Sequence, residues 1–398
     1  DVFSYGVLIR TGHTRLCATP STYTNTPPLA SSDLCAFFPV GDNISQAQCN
    51  SRRGGSLPPR FLDSRRDGRH DNEANNSLGW RPSPLVTGGG LNLDSRLARE
   101  LESATLDPSD GISHSTSHLG LAENSTILQA LMDKGYIKRR SWGLDTGFSN
   151  PKSPRRGSLV FGGYDSQRDF QHPWHQYAIN ASGGQLDGNK CSLSVVISEL
   201  RFTINGRSRT LLEGPLKGCI EPYDNLFRLP LAQLERLRSH IEHPASLSFP
   251  RFSGNPRILI AEPGLIYETS RSLNASLDIK FENGFSVNIP SDEFEKPLRG
   301  LDINGSPTVN HTLREIQVLQ SPADGNTIVL GRAFLSQAYL SVDYDTRTFH
   351  LARRGSPEKL GFPVPGEIYQ AWIYAEQRGL VVIGLILGQA HICFIILW

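Results

Sequence analysis

From Tyr5 to Pro250 the chain is written in short runs of Val, Ile, Leu and Phe, and Gly, Pro, Asn and Ser interrupt it about every ten residues. That rhythm leaves room for strands of ordinary length and little for helices, which need a longer uninterrupted stretch of 3.6-residue period. Val195-Val196-Ile197 and Leu200-Arg201-Phe202-Thr203-Ile204 are typical of it. Two segments do carry a helical period. One is "STILQALMDKG", with Ile127, Leu128 and Leu131 on one side and Gly135 as C-cap; the other is "LAQLERLRSHIEH", with Leu231, Leu234, Leu237 and Ile241. The spacing predicts isolated helices packed on sheets rather than alternating strand-helix units, so the expected class is mostly β.

A chain of 398 residues is long enough for two lobes, each with its own core. Its 40 basic and 39 acidic residues nearly cancel, so no net field draws in nucleic acid, and no nucleic-acid partner is expected. Residues 51–90, opening "SRRGGSLPPRFLDSRRDGRHDNEANN", are rich in Arg, Gly and Asn with almost no apolar period. Interleaved Asp and Asn make this a solvated surface insertion rather than a polyanion patch.

Two stretches look alike, "SHLGLAEN" around Gly120 and "IVLGRAFL" around Gly331, each a pair of mostly apolar residues leading into a Gly. The second is followed by "SQAYLSVDYDTRTFHLA", two apolar strands around an Asp-rich turn. With "GLAENSTILQALMDKGYI", "GSLVFGGYD" and "CIEPYDNLFRLP" in the same order, the chain from about residue 5 to 353 resembles the pepsin-like aspartic peptidases. The resemblance implies a bilobal, mostly β double barrel with a few short helices. Residues 1–165 would form the N-terminal lobe, with the 51–90 insertion, and 166–354 the C-terminal lobe. Residues 355–379 would be a linker or stem and 380–398 a transmembrane helix.

In that family each lobe has an Asp-Thr-Gly loop followed much later by an apolar-apolar-Gly strand. This chain has one such tripeptide, Asp145-Thr146-Gly147, but between the mid-chain helix and Gly-Gly-Tyr-Asp, where the family has an interlobe strand and turn. With "KRRSWGL" before it and "NPKSPRRG" after it, the tripeptide reads as a turn outside the cleft. Laid on the family's spacing, the second catalytic loop puts Glu221, Pro222 and Tyr223 on the Asp, Thr and Gly and ends at Pro230. The first puts Pro20, Ser21 and Thr22 there, and no Asp or Glu occurs between Val2 and Ser32. Two carboxylates sharing a proton are the family's base and acid, so the resemblance implies a chain without a working catalytic pair. The alternative is an active aspartic-type endopeptidase using displaced acids, Glu221 with Asp33 or Asp224, although both aspartates read first as surface or turn residues.

Other chemistry is not written here. There is no G-x-S-x-G elbow, no phosphate loop of Walker type and no H-E-x-x-H, and the His172/His175 and His240/His243 pairs lack Cys or carboxylate companions in pattern. No metal and no cofactor is implied.

Seven Asn-x-Ser/Thr sequons, at Asn43, Asn75, Asn124, Asn180, Asn274, Asn304 and Asn310, suggest a secreted history, the Asn304 one weakened by Pro307 after its Ser. Six cysteines fit that history: Cys35 and Cys49 can close one short loop and Cys191 and Cys219 another, with Cys17 and Cys393 left over. The chain begins at Asp1 and its only methionine is Met132, so it reads as a processed form or a fragment. Residues 355–366 turn to Pro and Gly. Beyond them "LVVIGLILGQAHICFIILW", 380–398, would span about 28 Å as a helix, close to the hydrocarbon core. A membrane anchor is the first reading. Gln389, His391 and the lack of Lys or Arg after Trp398 oppose it, and a cleaved lipid-anchor signal or a mis-predicted exon would give the same letters. The expectation is a monomeric glycoprotein of the secretory pathway, cell surface or extracellular space, membrane-anchored, with a cleft suited to an extended peptide or polysaccharide.

Overall fold

The computed structural model describes residues 7–11, 14–23, 25, 28–29, 80–84, 102–106, 118–148, 157–164, 173–180, 185–186, 189–224, 227–241, 264–268, 273–301, 307–321 and 326–354. Asp33, Cys35, Cys49, Asn43, Asn75 and Asn304 lie outside them, as does the segment 380–398; of residues 51–90 only the strand Trp80–Pro84 is described. Among the described residues no helix is long and apolar enough to cross a membrane.

The chain is mostly β, in several sheets, and the strand Ser194–Ile204 shows why. Val195 and Ile197 are buried, then Leu200 and Phe202, so the two-residue alternation slips once. The slip is a bulge: against Ala275–Phe281 the register jumps between Ile197 and Glu199, and the extra residue returns the apolar set to the core face. Ala275, Leu277, Ile279 and Phe281 keep strict alternation opposite.

These strands belong to an eight-stranded sheet in which Leu216–Ile220 pairs in parallel with Thr327–Leu330. Phe227–Leu229 lies antiparallel on the other side of Thr327–Leu330. A strand made late in the chain is thus threaded between the two arms of a loop made much earlier. A shorter counterpart exists near the start, where Thr14–Ser21 pairs in parallel with His118–Gly120. Parallel neighbours are buried on both faces and read as short apolar runs, as Ile328-Val329-Leu330 does.

A five-stranded antiparallel sheet joins the two halves, in the order Ser158–Phe161, Ser141–Asp145, Ala338–Asp343, Thr348–Arg353, His175–Ala178. Ser141–Asp145 is buried along its whole length because it sits inside this sheet, with Trp142 opposite Val342. Gly143 faces Tyr339 so closely that a Cβ there would stand 2.2 Å from the tyrosine hydroxyl.

Both expected helices form. Thr126–Asp133 buries Ile127, Leu128 and Leu131; Ser125 caps it by accepting from Leu128 N–H at 3.3 Å, and Gly135 ends it at φ +73°. Leu231–His240 buries Leu234 and Leu237, and Ile241 beyond it, but Leu231 in its first turn is 53% exposed. Cys191 and Cys219 form a disulfide, Cα to Cα 5.9 Å, that pins Leu216–Ile220 to the segment before Ser194–Ile204. One apolar core runs from Ala18 and Leu119 through Ile220, Phe227 and Leu330 to Leu351.

Candidate functional site

Glu221 is the residue after Leu216–Ile220. Its N–H donates to Leu330 O at 3.2 Å, extending the parallel ladder by one step. The chain then turns: Asp224 N–H donates to Glu221 O at 3.1 Å, closing a four-residue turn with Pro222 at its second position, where the fixed φ of proline suits it. Arg332 N–H donates to Asp224 O at 2.7 Å, tying the turn to the residue after Gly331. The Asp224 carboxylate is taken by Arg228.

The first loop is built alike. Thr14–Ser21 ends at Ser21, whose carbonyl accepts from Leu121 N–H at 2.8 Å. Ser21 lies opposite Gly120 in the parallel register, just as Ile220 opposite Leu330 sets Glu221 opposite Gly331. Ser21 Oγ accepts from the N–H of Tyr23 at 3.2 Å, and Glu221 Oε1 from the N–H of Tyr223 at 2.9 Å. The counterparts are therefore Ser21-Thr22-Tyr23 and Glu221-Pro222-Tyr223, one residue along from the Pro20-Ser21-Thr22 set. Pro20 is inside the ladder, buried and opposite Leu119.

The two loops meet. Thr22 donates from its backbone N–H to Glu221 Oε1 at 3.3 Å and from its hydroxyl to Oε2. Glu221 is fully buried, and the burial pushes its carboxyl up to about 7; the Thr22 hydroxyl and the Tyr223 and Thr22 amides pull the other way, and nearby Asp224 adds slightly to the rise. His118, buried on the strand beside Thr19, lies with its ring 3.9 Å from that of Tyr223, and burial lowers its imidazole to about 3. Tyr344, whose hydroxyl donates to Leu121 O, is close enough to feel the charge of Glu221.

Asp145 is elsewhere in the hydrogen-bond pattern. It closes Ser141–Asp145, is 1% exposed, and its carboxylate takes Arg354 as ion partner and Gly147 N–H at 2.9 Å. Arg354 also donates to Gly147 O at 3.0 Å and to Ser336 O, and lies 4.3 Å from the centre of the Phe148 ring. The turn begins only after Asp145, with Gly147 at φ +74°.

Of the described sequons, Asn124, Asn180 and Asn274 are exposed; Asn310 is half-buried, its Oδ1 accepting from the N–H and hydroxyl of Thr312 at 2.9 and 2.8 Å. Among the described residues no group of three His, Cys, Asp or Glu could hold a metal. His118, Tyr344 and Arg354 were not found by spacing, whereas Thr22 was, as the last of the Pro20-Ser21-Thr22 set. His118 stands in the quoted "SHLGLAEN", and its burial follows from the parallel register, which the letters do not carry.

No family model matches the chain, and no curated protein does. Among solved structures it matches the crystal structure of an aspartic proteinase from Irpex lacteus. The identity is 14%, over 62% of this chain and 64% of that one, with a TM-score of 0.39. A likeness that slight carries no weight for function.

Proposed function

We propose that the chain is a degenerate member of the pepsin-like aspartic peptidases, a bilobal fold kept without its catalytic pair. In this reading it is a secreted or membrane-anchored glycoprotein, and its cleft holds an extended peptide or a polysaccharide rather than cutting it. The observation that carries this is that, among the described residues, one acid stands at the two paired register positions. Glu221 occupies one register position, Ser21 its counterpart, and the hydroxyl that meets the acid comes from Thr22. Hydrolysis of that family's kind needs one carboxylate as base on water and a second, protonated, on the scissile carbonyl. A serine hydroxyl does neither at any working pH. Asp224 is no replacement, because Arg228 already holds its carboxylate. The exposed Asn124, Asn180 and Asn274 suit a glycoprotein, and an extended ligand can pair its backbone along a groove as an added strand.

The test is incubation of the purified chain with denatured protein at acid pH. No cleavage is expected, and no tight retention of a pepstatin-type inhibitor, which binds through the shared-proton pair. Acid proteolysis that Glu221→Gln abolishes would overturn the reading and favour the displaced-acid alternative.

A further inference from the structure

Glu221 is sealed at the joint between two loops from opposite halves of the chain, and among the described residues its carboxyl meets neutral donors: Tyr223 N–H, Thr22 N–H and the Thr22 hydroxyl. Among the described residues no cation pairs with it; Arg228, on Phe227–Leu229, pairs with Asp224. Among the described residues the other titratable or charged groups at the joint are Asp224 on the same turn, His118 from the strand His118–Gly120 against Tyr223, Tyr344 from the turn after Ala338–Asp343, and buried Arg332, whose N–H holds Asp224 O. A carboxyl shut away from water without a cation is held in its neutral form. Protonated, it can give its own O–H to the Thr22 hydroxyl, so the bond between the loops survives with its direction reversed.

We propose that Glu221 and His118 make this joint a pH-set latch, closed with the carboxyl protonated and the imidazole neutral in mildly acidic water, and loosened as the carboxyl ionises. The signs follow from the two shifts. Glu221, raised from 4.5 to about 7, contributes stability that is full below 4.5 and is lost as pH climbs to about 7. His118, lowered from 6.5 to about 3, contributes stability that grows as pH climbs over that range. Between 4.5 and 6.5 the slopes cancel, because an opened joint carries one proton on the imidazole and a closed one carries it on the carboxyl. Above 6.5 only the Glu221 slope remains, and over the half unit up to about 7 the joint itself weakens about three-fold; the full Glu221 contribution shows only against a variant that keeps His118.

The latch involves the loops of the proposed cleft but needs no ligand, so the two readings fail separately. In the full chain, without peptide, hydrogen exchange at residues 19–23 and denaturant unfolding are followed from pH 4 to 8 for the wild type and Glu221→Gln, an uncharged isostere. The opening constant of the wild type relative to the variant should rise about 300-fold over that range, ten-fold for each unit of the Glu221 shift. A flat ratio overturns the latch. If the variant does not fold, carboxyl-labelled glutamate NMR on the wild type decides: one glutamate titrating near neutrality supports the latch, and none titrating above the ordinary range sinks it.

Discussion

Asp145 and Glu221 are both almost fully shut away from water, and they are held in opposite ways. Asp145, 1% exposed, stands in the tripeptide Asp145-Thr146-Gly147 and has a guanidinium, that of Arg354, against it. Glu221, 0% exposed, stands in no motif and has only hydroxyl and amide donors. The first is a clamp within the sheet that joins the halves, linking the end of Ser141–Asp145 to the residue after Thr348–Arg353. The second is a carboxyl whose charge no cation among the described residues balances. The difference teaches that the letters Asp-Thr-Gly mark a local turn here, through Gly147 at φ +74° and its N–H on Asp145. The chemical site is marked by topology instead, by which strand end lies opposite Gly120 and Gly331.

The largest expected effect breaks the clamp. Arg354→Met leaves Asp145 buried without its cation and should destabilise the fold by about 3–5 kcal/mol, because the remaining charge must be desolvated alone. The double change Asp145→Leu with Arg354→Met should recover most of that loss, since a buried pair is often no better than apolar residues of similar volume. Urea unfolding of both variants measures it; a single-variant loss below about 1 kcal/mol would mean that the pair is not sealed from water as the structure has it.

Next in size is the support behind Glu221. Replacing Cys191 and Cys219 by Ser frees a loop of 28 residues in the unfolded chain and should destabilise by about 3 kcal/mol. Because Cys219 lies two residues before Glu221, hydrogen exchange should quicken there more than around Asp145. Equal quickening at both acids would remove the distinction between a site set by one strand and a clamp set by another sheet.

Thr22→Val then tests the donors. It deletes the hydroxyl that meets Oε2, a loss of about 1.5–3 kcal/mol when the carboxyl is ionised and about 1 kcal/mol when it is neutral. Unfolding should therefore show a greater loss at pH 8 than at pH 5; the reverse order would mean that Glu221 does not titrate between them.

The parts that the letters disclosed were those fixed by local chemistry. Gly135 ends a helix where its backbone freedom put it, and Cys191 met Cys219. Glu221 was reachable because its loop keeps a fixed count to Pro230 and leads to an apolar-apolar-Gly strand. The first loop came out one residue early. Neither Pro20 nor Ser21 has a side chain that betrays which one ends the strand; only the pairing with Leu119 and Gly120 decides it. The polar flank "KRRSWGL" argued against an apolar strand leading into Asp145, yet Ser141–Asp145 is a buried interior strand of a sheet. Its polar residues are tolerated because Arg354, more than two hundred residues away, answers Asp145. His118 was hidden for the same reason, its burial depending on a partner strand distant in sequence.

The smallest expected effect lies at Ser21, the register counterpart of Glu221. Ser21 Oγ accepts one hydrogen bond, from Tyr23 N–H, and that bond stays within its own loop. Ser21→Ala should then cost about 1 kcal/mol, the ordinary worth of one buried hydrogen bond, and the loss should be the same at pH 5 and pH 8 because a hydroxyl does not titrate. Thr22, one residue on, has its hydroxyl on the carboxyl and should show a loss that grows with pH. Two adjacent hydroxyls with different pH behaviour would locate the proton on Glu221 and assign the bridge to Thr22. Should Ser21→Ala follow pH as Thr22→Val does, Ser21 would be the group facing the acid, and the register that matches it to Glu221 would have to be redrawn.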